Sequence, residues 1–341
     1  MNDRSDPILV EVLRGDWIES RHRGAIAVCD AEGASVLALG DIEAPVFPRS
    51  AVKALQALPL IESGAADRYG LTPAQIALAV ASHAGEPTHV ETARAMLAQC
   101  GRDPSALECG AHWPSSLEAG RALAASGKTP SALHNNCSGK HAGFVCLACA
   151  AGAEPRGYVA PGHFVQREVD RALAEMTGAV IDERHRAIDG CAIPTYAIPL
   201  RALALAFARF GTDAGMSATR AAAAARVRAA VAAHPDMVAG AGRFDTAVTR
   251  ILGERAFVKT GAEGVYCAAF PHNGFGVALK CDDGAGRAAE VVMAAMIERF
   301  VALDVAERAA LRPRLSPALT NWNGARVGEM RAARALVEES D

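Results

Sequence analysis

Ser50-Ala-Val-Lys53 sets a hydroxyl and an amine three residues apart. On a helix that spacing brings both side chains to one face, where a neutral lysine can take the hydroxyl proton as the oxygen attacks a carbonyl. Far downstream, Lys259-Thr260-Gly261 completes a pairing of S-x-x-K with K-T-G, the mark of enzymes with a serine nucleophile and a lysine base. The chemistry these residues predict is amide hydrolysis. A surface helix with a solvated lysine carries the same four letters, and the flanks argue against it. Phe47-Pro48-Arg49 precedes Ser50, and Val52, Leu55, Leu58 and Ile61 share one stripe of a helix over 50–62 that Pro59 ends or bends. A serine in the first turn of such a half-buried helix lies among unpaired backbone N–H groups, which stabilise an oxyanion.

A second polar constellation is His134-Asn-Asn-Cys137-Ser-Gly-Lys140-His-Ala-Gly143, which opens directly into the apolar run Phe144 to Ala151 and reads as a loop feeding a helix N-terminus. Asp189-Gly-Cys191-Ala-Ile-Pro194 is a turn with another thiol. Two loop-borne thiols leave three readings open: they never meet, they respond to redox chemistry, or they hold a soft metal with two positions left for other ligands. Cys146 and Cys149 form a C-x-x-C inside an apolar helical run and read as core packing, as do Cys29, Cys267 and Cys281 in strand patterns. Asp282-Asp283-Gly284 reads as a turn.

These residues need a frame. Strand patterns occupy 8–13, 24–30 and 35–39, with Glu32-Gly33 at a hairpin, and return in 265–270 and 276–281 around Pro271-His272-Asn273-Gly274. Helical patterns fill 50–62, 73–83, 89–99, 116–126, 140–151, 162–177 and 217–233, then 286–303 and a tail helix near 325–337. The expected fold is α+β: a mixed, mainly antiparallel sheet assembled from both termini and flanked by helices, plus an all-helical insertion. Residues 1–341 form a single catalytic unit, with 1–48 and 256–341 making the sheet and 49–255 the mainly helical part.

Composition narrows the partners. The 341 residues are 51% hydrophobic and 21% charged, with 35 basic and 38 acidic side chains and a net charge of −3. No basic run offers a nucleic-acid surface. No segment reads as a membrane span or signal peptide, and the nine cysteines lack the dense spacing of a secreted scaffold, so the expected compartment is the cytoplasm.

Arg49-Ser50-x-x-Lys53, Ala81-Ser82-His83-x-Gly-Glu86, His-Asn-Asn-Cys137-Ser-Gly-Lys140-His-Ala-Gly, Asp189-Gly-Cys191-x-Ile-Pro and Lys259-x-Gly-Ala-Glu-Gly264 together resemble the L-asparaginase II family of the rhizobial type, from about residue 8 to residue 330. The resemblance implies a fold similar to serine β-lactamases and glutaminases and a homodimer as the assembly. It implies two serine–lysine tandems, Ser50 with Lys53 and Ser82 with Lys259. It also implies one zinc per chain, held by Cys137, Cys191, the amine of Lys140 and a water. On this reading the substrate is L-asparagine, Ser50 attacks, Lys53 is the base, and Ser82 with Lys259 passes a proton to departing ammonia. Arg49 and His83 are candidate substrate contacts, although His83 equally suits a cap on the helix from Pro73. Two other readings stand beside this one: a glutaminase or other amide hydrolase on the same scaffold, and a zinc or thiol redox sensor with structural serines.

Overall fold

The computed structural model describes residues 6–337. The chain divides into two compact units, one of residues 1–51, 198–212 and 251–341, the other of residues 52–197 and 213–250.

The first unit is built on an eight-stranded sheet: β1 (Ile8–Arg14), β2 (Trp17–Cys29), β3 (Ser35–Leu39), β4 (Phe257–Thr260), β5 (Val265–Phe270), β6 (Phe275–Cys281), β7 (Ala318–Thr320) and β8 (Arg326–Ala332). Their order is β7-β8-β1-β2-β6-β5-β4, with β3 also on β2, and every pairing is antiparallel. The sheet is thus assembled from both ends of the chain, as the strand patterns predict. The hairpin at 271–274 forms as its residues dictate: Gly274 takes φ 74°, and Asn273 N–H donates to the Phe270 carbonyl at 3.1 Å. Val265 to Phe270 are all buried, the continuous apolar run of a strand covered on both faces.

Three features of this unit depart from the sequence expectation. β2 begins at Trp17, because the charged stretch Glu19-Ser-Arg-His-Arg23 pairs with β1 at an exposed sheet margin that needs no apolar alternation. The tail read as a helix near 325–337 is mostly strand β8, held along β1 from Val10↔Ala332 to Arg14↔Gly328, and only Arg334–Val337 is helical. Pairing with a long strand overrides the modest helix propensity of Arg326-Val-Gly-Glu-Met. Finally, Leu200–Thr212 is a helix packed on β2, β5 and β6. Gly276 permits that approach: a Cβ there would lie 2.0 Å from the Ala204 carbonyl oxygen, so any side chain would push the helix off the sheet.

The second unit is mainly helical. Lys53–Gln56 and Leu58–Glu62 are separate helices, divided just before Pro59 as expected. Pro73–Ala79 opens with a reciprocal Thr72/Gln75 capping box. Ser138–Ala150 is buried from Ser138 through Ala148, the mark of a helix enclosed by its unit and not lying on its surface. Gly139 lets it abut the Pro73 helix, since a Cβ there would sit 2.3 Å from the Leu78 carbonyl oxygen. Buried Arg220 joins the Ala218–Ala233 helix to its neighbours through Glu62, at 2.6 Å, and Glu175. Among the described residues no helix is long and apolar enough to cross a membrane.

Candidate active site

In the sheet unit, Ser50 lies half-buried in a 3-10 turn, Arg49–Val52, closed by Ala51 N–H to the Pro48 carbonyl at 2.9 Å. Arg49 adopts φ 47°, a left-handed conformation that costs a branched-out side chain about 1–3 kcal/mol and persists only where surrounding structure enforces it. Beside this turn runs Lys259-Thr260-Gly261. Gly261 backs so closely on the Pro48 carbonyl that a Cβ would lie 2.7 Å from its oxygen. Lys259 is fully buried in β4, opposite Cys267 of β5, and its Nζ donates to the Thr260 carbonyl at 2.9 Å. The distant S-x-x-K serine and K-T-G strand therefore border one another.

In the helical unit, Lys53 is fully buried, and its Nζ donates to the Ala81 carbonyl at 2.6 Å and to Ser82 Oγ at 2.9 Å. Burial pulls its pKa below the ordinary lysine value, a shift reinforced by the Lys140 ammonium and opposed by the thiols of Cys137 and Cys191. Ser82 is itself fixed by its backbone N–H on the Val238 carbonyl at 2.9 Å. A base held by a serine hydroxyl within a dry pocket is the arrangement that proton transfer requires.

Cys137 caps the Ser138 helix, and Lys140 occupies its first turn. Asn135 braces the loop: its Oδ1 accepts from Cys137 N–H at 2.8 Å while its Nδ2 donates to the Cys109 carbonyl at 2.8 Å. Cys191 rides on a turn closed by Asp189 N–H to the Ile193 carbonyl, with Ala192 at φ 73°. The two thiols do meet. The neighbouring Cys191 draws the Cys137 thiol well below its ordinary range against the opposing cost of burial, and Lys53 and Lys140 add to the effect. Cys191 is pushed up correspondingly, by Cys137 and by burial. Lys140 Nζ reaches Cys191 Sγ at 3.2 Å. Burial works to lower the Lys140 pKa, but the thiols and Asp189 prevail and raise it. Two thiols and one amine are a soft donor group with room for a fourth ligand once their protons leave. Among the described residues no cluster of three His, Cys, Asp or Glu side chains is placed to hold a metal, so a metal here depends on the lysine amine as its third donor.

His83 does not cap the Pro73 helix. It is 1% exposed and lies beyond the Pro73 helix, which ends at Ala79. Ser138 gives its hydroxyl proton to the Leu133 carbonyl, so His83 Nε2–H donates to Ser138 Oγ at 2.9 Å, and Nδ1 accepts from Gly85 N–H at 3.1 Å. With both nitrogens engaged, the ring ties the Ser82 segment to the Cys137 helix. Sequence reading also passed over Asn135 and His141. The latter shares a hydrogen bond with the Tyr158 hydroxyl through Nδ1, 2.6 Å away, and is fully buried next to Lys140. A cavity of about 660 Å3 follows Ser82 along the chain, its walls including Ala84, Glu86, Ser115, Ser116 and Arg243.

A comparison with curated proteins finds no match. The family comparison is positive over nearly the whole length: buried lysine on serine, paired thiols beside a second lysine, and the K-T-G strand all fall within residues 10–332, which match L-asparaginase II. The chain belongs to the L-asparaginase II family and is an enzyme of the asparaginase type, an amide hydrolase acting on a small molecule.

Proposed function

We propose that the enzyme hydrolyses the side-chain amide of L-asparagine to aspartate and ammonia. Ser50 Oγ attacks the amide carbon, and Lys53 takes the hydroxyl proton. Ser82, bonded to Lys53 Nζ, hands a proton to the departing ammonia with Lys259 as its second partner, and the backbone N–H of Ser50 stabilises the oxyanion. The observation that carries this reading is the 2.9 Å contact between Lys53 Nζ and Ser82 Oγ, both buried. It supports a proton route, because a desolvated lysine gives up its charge more readily than a solvated one. Water then cleaves the acyl-enzyme by the same groups in reverse.

Cys137, Cys191 and Lys140 would hold zinc, one per chain. Bound there, zinc supplies positive charge and an open coordination position for a polar end of the substrate. Arg49 is proposed to meet the substrate carboxylate, and His83 acts by holding the Ser82 and Cys137 segments together. The homodimer is likewise proposed on the strength of the family.

The test is ammonia release from asparagine and from glutamine by purified protein, with and without chelator. Glutamine is longer by one methylene, which carries its carboxamide past a nucleophile set for asparagine, so kcat/KM should favour asparagine by ~100-fold or more. Comparable values for the two amides would replace this reading with a glutaminase on the same scaffold.

A further inference from the structure

Three further thiols gather away from the proposed zinc donors. Cys100 is the C-cap residue of the Pro87–Gln99 helix and is half-exposed, and its Sγ donates to the Leu97 carbonyl at 3.2 Å. The neighbouring carbonyl, that of Met96, accepts from Cys146 Sγ at 3.5 Å. The two sulfurs thus sit on consecutive carbonyls of one turn, where the Pro87 and Ser138 helices pack. Cys149 stands one turn beyond Cys146, half-exposed, within electrostatic reach of Arg102 and Cys100. All three cysteines are free. Packing explains buried Cys146; it does not explain two half-exposed thiols drawn onto it beside a cation.

We propose that Cys100, Cys146 and Cys149 form a peroxide-reactive site, in which oxidised Cys100 is captured as a disulfide by a thiol of the Ser138–Ala150 helix. Cys146 brings the Cys100 thiol down to about 7 in spite of partial burial, with Cys149 and Arg102 assisting, which favours the thiolate. The thiolate attacks one oxygen of hydrogen peroxide. An S–O bond forms, the O–O bond breaks, and the departing hydroxide takes a proton from solvent. Sulfur is oxidised by two electrons to a sulfenic acid and the peroxide is reduced to water. Cys146 or Cys149 then attacks the sulfenic sulfur; an S–S bond replaces the S–O bond, and the oxygen leaves as water with the thiol's proton. In sum, two thiols and one peroxide give a disulfide and two waters. The site is independent of the amidase reading and survives its failure.

Tryptic cleavage separates the cysteines cleanly. Cys100 falls in Ala95–Arg102, Cys146 and Cys149 in His141–Arg156, Cys137 in Thr129–Lys140 and Cys191 in Ala187–Arg201. The experiment exposes folded wild-type protein to hydrogen peroxide, alkylates free thiols, digests without reduction and maps peptides by mass spectrometry. The expected product links Ala95–Arg102 to His141–Arg156, disappears on dithiothreitol treatment and is absent in Cys100→Ser. In the Cys146→Ala/Cys149→Ala double variant, dimedone should label Cys100. Recovery of wild-type Cys100 as a free thiol, as an unlinked sulfinic acid, or beside a Cys146–Cys149 disulfide overturns the proposal.

Discussion

Lys53 and Lys140 are equally buried, 0% and 2% exposed, in neighbouring parts of the helical unit, yet their pKa values move in opposite directions. Lys53 donates to a carbonyl and a hydroxyl, neutral acceptors that cannot repay the desolvation of an ammonium. Lys140 donates to Cys191 within reach of Cys137 and Asp189, and these groups outweigh its burial. Burial alone therefore does not make a lysine basic enough or neutral enough for a given task; the acceptor at the end of its side chain decides. One lysine is fitted to lose its proton during turnover, the other to lose it only when something else satisfies the thiols.

The largest effects should separate these roles. Lys53→Met is expected to lower kcat on the order of a thousandfold or more, matching Ser50→Ala because nucleophile and base act as a unit. Lys140→Met should cost less, about 10- to 100-fold in kcat/KM or ~1.4–2.7 kcal/mol of barrier, and elemental analysis should find the proposed zinc lost from it. Cys137→Ser and Cys191→Ser should lose zinc as well. If Ser50→Ala keeps more than about a tenth of the rate, only ~1.4 kcal/mol has been lost and the nucleophile passes to Ser82. If wild-type protein supplemented with zinc carries none, the metal role of Lys140 is gone and the serine–lysine reading stands.

A second contrast is in pH. A base must be neutral, so kcat/KM should climb with pH, about tenfold per unit, until Lys53 is deprotonated, and level off below the ordinary lysine value of 10.5 because burial lowers the Lys53 pKa. A profile flat from about pH 6 to 10 would rule out a lysine base.

Much of this arrangement was legible in the residues. Ser50 and Lys53 stand out by the S-x-x-K spacing and the 271–274 hairpin by turn residues that admit few backbones, whereas Cys137, Lys140 and Cys191 were joined only by the family resemblance, because their spacing leaves open whether the thiols meet. The contact of Lys53 with Ser82 was not legible. It depends on how far the Ser138 helix approaches Leu78, which is a matter of packing between segments distant in sequence. The helix Leu200–Thr212 escaped for a local reason: Ala-Leu-Ala-Leu-Ala-Phe-Ala alternates with period two and mimics a strand. The partners of His83 were not legible either, since Ser138 and Gly85 reach its two nitrogens only in the folded chain.

The spacing between the two lysines can be tested at glycines of the Ser138 helix. Gly139→Ala puts a Cβ against the Leu78 backbone, which cannot yield without moving a helix, and should cost about 1–3 kcal/mol by chemical denaturation along with a fall in kcat. Gly143→Ala meets mainly the end of the Leu60 side chain at 3.1 Å, which can rotate away, and should be near neutral because alanine favours helix by ~1 kcal/mol. Equal effects at the two sites would mean that the Leu78 contact does not set the geometry.

The remaining effect belongs to His83, the tie between the two lysine neighbourhoods. Burial holds its pKa well below the ordinary 6.5, with His89 and Lys53 adding to the shift, so the folded protein keeps the ring neutral where the unfolded chain would protonate it. The stability this contributes is complete above pH 6.5 and is lost as pH falls from there toward the depressed folded value, since acid favours the state that binds the proton. One pH unit below 6.5 the loss is about 1.4 kcal/mol. His83→Gln can still donate to Ser138 but cannot titrate, so the difference in unfolding free energy between wild type and variant should shrink by that amount between about pH 7.5 and 5.5. A difference that stays constant over this range would mean that His83 already carries a proton in the folded protein, and the neutral tie between Ser82 and the Cys137 helix would have to be redrawn.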